Sequence, residues 1–246
     1  MKKMLVANWK LNPENVDLAV ALAKLEDKKQ VIICPPTPYL SAVGNVIKRA
    51  KLGAQDAFWE KEGPYTGNTS PTHIKSVGAK YVILGHSERR NILQEGDDAI
   101  NQKVEASLKS GLQVILCIGE DLDSHQRGEK QTKLFITDQI IRGFKNIKWK
   151  DLRNIAIAYE PVWAISTSGS GLKDAPEESI KIIQFIKDFL RERYMLKKPV
   201  VLYGGSINSK NAENYLINDL IDGVLIGGAS LDAKEFNKII KICLER

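Results

Sequence analysis

Eight short apolar runs punctuate the chain, at 4–7, 31–34, 52–55, 81–84, 114–117, 155–159, 200–203 and 224–226. The run 155–159 (Ile-Ala-Ile-Ala-Tyr) shows their character. It is long enough for a strand, too short for a helix, and free of polar alternation, so it reads as a strand covered on both faces. Between the runs lie helical signals. Asn12-Pro13 offers a cap and a first-turn proline, after which Val16, Ala19, Val20 and Ala23 form one apolar face. Ser70-Pro71 repeats that opening, and Gly78 can end the short helix. Gly111 closes a helix over about 98–110. Pro176 opens another, striped by Ile182, Ile186, Phe189 and Leu190, and the last carries Phe236, Ile239, Ile240 and Cys243 at the same spacing.

Strands alternating with helices imply parallel pairing through right-handed crossovers. Eight such units in 246 residues match a closed, single-domain α/β fold, the (β/α)8 TIM barrel. An open doubly wound sheet is the runner-up. Its nucleotide-binding forms carry GxGxxG after the first strand; here that place holds Asn8-Trp9-Lys10, and no P-loop pattern occurs. No linker or composition shift divides the chain, so one domain is expected over residues 1–246.

The formal net charge of +6 suits a small anionic substrate through weak steering. No basic stripe interleaves with aromatics, so no nucleic acid partner is expected, and most of the surplus reads as a solvated lysine-rich surface. No apolar run of about 18 residues spans a membrane, and the stretch after Lys2-Lys3 is too short for a signal peptide, so a cytoplasmic protein is expected. Cys34, Cys117 and Cys243 are odd in number and form no CxxC, which predicts reduced, mostly buried thiols. With three histidines and no HExxH pattern, no metal site is expected.

In a barrel, the loops after the strands form the active face. Asn8 and Lys10 follow the first run. His86 follows the fourth, within Gly85-His86-Ser87-Glu88-Arg89-Arg90, at a turn whose helix dipole favours the neutral imidazole. Glu160 ends the sixth, followed by a stiff Pro161-Val162-Trp163 hinge and a Ser/Gly-rich stretch that reads as a lid. Gly204-Gly205-Ser206 follows the seventh and Gly227-Gly228-Ala229-Ser230 the eighth. Glycine pairs at the ends of the last two strands let backbone N–H groups approach an anion closely, which is the expected place for a barrel phosphate site.

Taken in order, these motifs, with Cys117-Ile118-Gly119-Glu120 and Ala158-Tyr159-Glu160-Pro161-Val162-Trp163-Ala164-Ile165, resemble the triosephosphate isomerase family over essentially the whole chain. The resemblance implies interconversion of dihydroxyacetone phosphate and D-glyceraldehyde 3-phosphate, in glycolysis and gluconeogenesis, without metal or organic cofactor. It implies Glu160 as base, His86 as neutral electrophile, Lys10 as stabiliser of the enediolate charge and Asn8 as a nearby donor. Ser206, Gly227 and Gly228 match phosphate ligands, and Ser87 and Glu88 supporting positions, with Glu88 paired to Lys10. The loop 63–70, with Thr66 at its tip, matches one that inserts into the partner of a homodimer.

The lid departs from the family pattern. Over 161–175 it runs about three residues longer, with Ser166-Thr167-Ser168-Gly169-Ser170-Gly171 where the family has Gly-Thr-Gly. Either Ser166 takes the phosphate-contacting place with the insertion later, or 166–168 is the insertion and Gly169 begins the replacement. The unbroken run from the hinge favours Ser166. A barrel that only senses phosphorylated ligands and a different sugar-phosphate isomerase are the competing readings. Retention of Asn8, Lys10, His86 and Glu160 together weighs against both.

Overall fold

The computed structural model describes residues 3–165, 172 and 174–244. Eight parallel strands close into a barrel: β1 (Met4–Asn8), β2 (Val31–Cys34), β3 (Lys51–Ala54), β4 (Tyr81–Leu84), β5 (Gln113–Ile118), β6 (Ile155–Tyr159), β7 (Val200–Tyr203) and β8 (Gly223–Ile226). Each coincides with one of the eight apolar runs to within a residue at either end. Around them lie the helices α1 (Val16–Glu26), α2 (Leu40–Val46), α3 (Pro71–Ser76), α4 (Ser87–Asn91), α5 (Asp97–Lys109), α6 (Leu122–Gln126), α7 (Glu129–Gly143), α8 (Pro176–Tyr194), α9 (Ala212–Leu216) and α10 (Ala233–Leu244). The open doubly wound alternative is excluded, because β1 pairs with both β2 and β8, Leu5 lying opposite Val31 and Val224.

Strand side chains alternate between two cores. Val6, Ile32, Ile83, Ile115, Leu202 and Leu225 fill the barrel interior. Leu5, Ala7, Ile33, Leu84, Leu116, Ile157 and Val201 face outward, onto helix residues such as Ile100, Ile140, Ile186 and Ile239. Burial on both faces is why the runs lack polar alternation. The three cysteines are buried and unpaired. Burial pushes the Cys34 and Cys117 thiols up, so both stay protonated inside the barrel.

Ser70 caps α3 by accepting from His73 N–H, and Pro71 takes the first helical position. Gly78 (φ +89°) and Gly111 (φ +76°) stand left-handed just beyond α3 and α5, the conformation in which glycine is favoured. The start of α1 differs from the expectation. Asn15, not Asn12, is the cap, with an extended backbone and a side chain accepting from Leu18 N–H. Two asparagines three apart can each cap a helix, and the chain turns at Pro13 before the helix begins. At the seam of the barrel, Gly223 lies where a Cβ would stand 2.0 Å from Met4 O, and Lys3 Nζ donates to Asn218 O and Ile221 O across the same join.

Candidate active site

A cleft of about 230 Å³ opens at the carboxyl ends of the strands. Asn8, Lys10, His86, Ser206, Gly227 and Gly228 line it, together with Ile165, Gly204, Gly205 and Leu225. Six of the residues singled out by sequence thus converge on one cavity from β1, β4, β7 and β8. Glu160 stands just behind the wall, 1% exposed. Thr66 lies elsewhere, on an exposed loop tip. Ser166 and Gly169, and with them the alignment of the lid, lie outside the described residues.

Lys10 adopts φ +54°, a left-handed conformation that costs a non-glycine residue on the order of 1–3 kcal/mol. Its surroundings fix it there from several sides. Lys10 N–H donates to Asn8 Oδ1 (3.1 Å), Gln55 Nε2 donates to Lys10 O (2.8 Å), and Lys10 Nζ lies 2.6 Å from Glu88 Oε1. Gly227 leaves room for the lysine stem, since a Cβ there would approach Lys10 Cε to 3.0 Å. The ammonium is thereby presented to the cleft with its direction set by backbone.

Gly85 (φ +68°) turns the chain sharply after β4, and His86 becomes the N-cap of α4. Its Nδ1 accepts from Glu88 N–H at 3.2 Å. A nitrogen that accepts carries no proton, so the bond selects the neutral tautomer with hydrogen on Nε2. That Nε2 lies 3.3 Å from Glu160 Oε1, though not aligned for a hydrogen bond. The other oxygen, Oε2, accepts from Ser87 N–H at 3.0 Å. Glycines press the backbone close on either side: a Cβ at Gly119 would sit 1.6 Å from Glu160 O, and one at Gly204 2.8 Å from Glu160 Cγ.

A second buried carboxylate stands beside Trp163. Glu120, also 1% exposed, accepts from Trp163 Nε1 (2.7 Å) and Tyr159 OH (3.1 Å) through Oε1, while Oε2 is buried without a hydrogen bond. Burial raises its pKa to about 7 despite these donors. His125 stacks on Trp163 with centroids 3.8 Å apart. Just before α8, Asp174 Oδ2 accepts from Ser179 Oγ, Tyr203 OH and Tyr215 OH. Burial also raises the Asp174 pKa, against those three donors.

Sequence reasoning missed Gln55, Glu120, His125 and Asp174. Gln55 sits at the end of a predicted strand, where a polar residue beside Lys10 was the available signal. Glu120 lies within a quoted motif, at a strand end like Glu160, and the same logic could have singled it out. Asp174 carries no such signal, because two of its three partners, Tyr203 and Tyr215, lie 29 and 41 positions further along the chain.

A closed parallel barrel with a polar cleft at the carboxyl ends of its strands defines the class: a (β/α)8-barrel enzyme. Residues 3–243 match the family described as triosephosphate isomerase. A triosephosphate isomerase of Dictyoglomus thermophilum is 38% identical over 98% of this chain and 99% of its own. One from Carboxydothermus hydrogenoformans is 38% identical over 98% of both chains, and one from Zygosaccharomyces bailii 44% identical over 89% of this chain and 87% of its own. The chain belongs to the triosephosphate isomerase family.

Proposed function

We propose that the chain, as one barrel domain over 1–246, interconverts dihydroxyacetone phosphate and D-glyceraldehyde 3-phosphate through an enediolate. The observation that carries the reading is the meeting of His86 Nε2 and Glu160 Oε1 at 3.3 Å, with the imidazole held neutral from its far side by Glu88 N–H. Open backbone at Gly227 and Gly228, with Ser206, receives the phosphate. That anchors the substrate with its carbonyl toward His86 and Lys10.

Glu160 leaves Ser87 N–H and turns into the cleft. There it takes the proton from the carbon beside the carbonyl and returns it to the neighbouring carbon. His86 donates its Nε2 hydrogen toward the carbonyl oxygens, and the Lys10 ammonium offsets the charge that gathers on them. A neutral imidazole in this role is a known trait of the family itself. Asn8 donates beside Lys10. Glycolysis and gluconeogenesis, and a cytoplasmic setting, follow from this activity.

A coupled assay with D-glyceraldehyde 3-phosphate tests the proposal. Wild type turns over rapidly, and Glu160→Gln loses a factor on the order of 10²–10⁴ in kcat while phosphate analogues still bind. Near wild-type turnover in the variant removes Glu160 as base. No turnover in wild type, with analogues bound, moves the reading to a phosphate sensor.

The longer lid over 161–175, with Ser166 offering its N–H to phosphate, alters closure more than chemistry, because Glu160, His86 and Lys10 are all retained. Grafting the shorter family lid changes kcat, KM or loss of the enediolate; identical values in all three would remove the idea. The protein works as a homodimer in which the loop bearing Thr66 reaches the partner. Leu11, directly after Lys10, is 92% exposed and Ile92 73%, apolar surface that a partner would cover. Charged residues at Thr66 and its neighbours give monomers by sedimentation; an unchanged profile refutes the interlocking loop.

A further inference from the structure

The barrel has a second end, at the amino termini of its strands, facing away from the cleft. There the loops entering β6 and β7 are neighbours: the strands pair in register, and Phe144 and Tyr194, at the ends of α7 and α8, pack ring to ring at 5.1 Å. These two loops expose Lys145, Lys148, Lys150, Arg153, Lys197 and Lys198. Asp151 is the one acidic residue between 144 and 155 or between 194 and 200. Among the described residues, none of the six cations is ion-paired. The helices just before them carry several paired cations. On α7, Lys133 pairs with Glu129 and Arg142 with Asp138, and on α8 Arg191 pairs with Asp188.

Two large apolar side chains stand among these charges. Trp149, between Lys148 and Lys150, is 83% exposed, and Met195 is 80% exposed. Met195 also occupies φ +55° at the end of α8, the left-handed position where glycine is the favoured residue. The chain thus keeps an apolar side chain in water, at a backbone position that disfavours it. Neither residue serves the core or the cleft.

We propose that this two-loop patch docks the enzyme on an anionic lipid surface. Unpaired lysines draw it to a negatively charged headgroup layer, and Trp149 and Met195 enter the interface, where an indole is at home. The patch is formed by loop residues, and Met195 has no ring to stack on a base. Strands β6 and β7 lie across the barrel from β2 and β3, so the loop bearing Thr66 and this patch sit on different sides and a homodimer leaves the patch free. The fold brings two short basic stretches, 145–153 and 197–198, together at one end of the barrel.

The test is co-sedimentation of the full chain with phosphatidylcholine vesicles, with and without phosphatidylserine. Binding is expected only with phosphatidylserine, and is released as salt rises. Replacing Lys148 and Lys150 together by alanine lowers the partition coefficient on the order of 30-fold. A blue shift of tryptophan fluorescence on binding disappears in Trp149→Phe, while isomerase turnover of every variant stays at the wild-type value. No binding to anionic vesicles at low salt overturns the proposal, as does binding that the lysine and tryptophan replacements leave unchanged. Retention of homopolymeric RNA by a chain that ignores the vesicles replaces lipid by nucleic acid as the partner.

Discussion

Glu160 and Glu120 are the same residue type, each 1% exposed, each with one oxygen bonded and one buried without a hydrogen bond. They stand at the ends of adjacent strands. What separates them is the kind of donor. Glu120 is gripped through one oxygen by the indole N–H of Trp163 and by the phenol O–H of Tyr159 at the end of β6, both on rigid rings. Glu160 rests on a single backbone N–H, with an imidazole nearby but out of line. In the reaction proposed above, Glu160 as base must leave its resting bond to reach substrate, whereas Glu120 in a supporting place would keep its bonds. Burial alone does not tell these roles apart; the number and stiffness of the donors do.

The strongest way to break this comparison is to make the same change at both sites. Glu160→Gln should cost the factor given above in kcat. Glu120→Gln should cost less than about tenfold, because it weakens a strut and removes no reacting group. Equal losses would mean that the two carboxylates share the chemistry. Next in size is Gly119→Ala. Its methyl would meet the Glu160 carbonyl, so the two strand ends must part. A loss of stability of about 1–3 kcal/mol is expected, read as a lower melting temperature, with a further fall in kcat as Glu160 shifts. Unchanged melting would show that the strand ends adjust freely.

The most gradual effect, spread over several pH units, lies in the pH dependence of stability. Glu120 is raised from 4.5 to about 7, and Glu26, fully buried and bonded only to Trp9 Nε1, to about 8, both chiefly by burial. A carboxyl with a raised folded pKa binds its proton more tightly folded than unfolded. Its stabilising contribution is therefore fully present below pH 4.5 and is lost as pH rises through 7 for Glu120 and 8 for Glu26. Each group contributes a slope of at most about 1.4 kcal/mol per pH unit within its window. Glu26→Gln should flatten the curve between pH 7 and 8 and reduce its slope below 7, whereas Glu120→Gln should reduce the slope only between 4.5 and 7, measured by denaturant unfolding. A curve of wild-type shape in both variants would mean that neither group holds its proton in the folded chain.

The strands were legible because burial on both faces leaves uninterrupted apolar letters, and the placing of Glu160, His86 and Lys10 at the carboxyl end of the barrel because each lies within three residues of the end of such a run. Other features depend on partners the sequence does not name. Gln55 is one polar letter among many until it is seen holding Lys10 O and Cys34 O. Asp174 gains meaning only from Tyr203, Tyr215 and Ser179. Asn12 and Asn15 are equally good caps on paper, and the backbone at Asn15 decides between them. Glu26 illustrates the converse: a charged letter on the inner face of α1, beside Ala19 and Ala23, is the sort of residue that periodicity assigns to the surface.

The join between β1 and β8 matters for how such a chain comes off the ribosome. Lys3 and Asn218 are 215 positions apart, so the bonds that shut the cylinder are among the most distant in the sequence. Until β8 emerges, β1 has β2 on one side and nothing on the other. Its free N–H and C=O groups then form an open edge on which a second nascent chain could add. Gly223, with no side chain to obstruct the approach of Met4, lets that edge be covered as soon as the last strand arrives. Closure therefore ends the interval in which the growing protein is exposed to aggregation, and a slow seam would lengthen its dependence on chaperones.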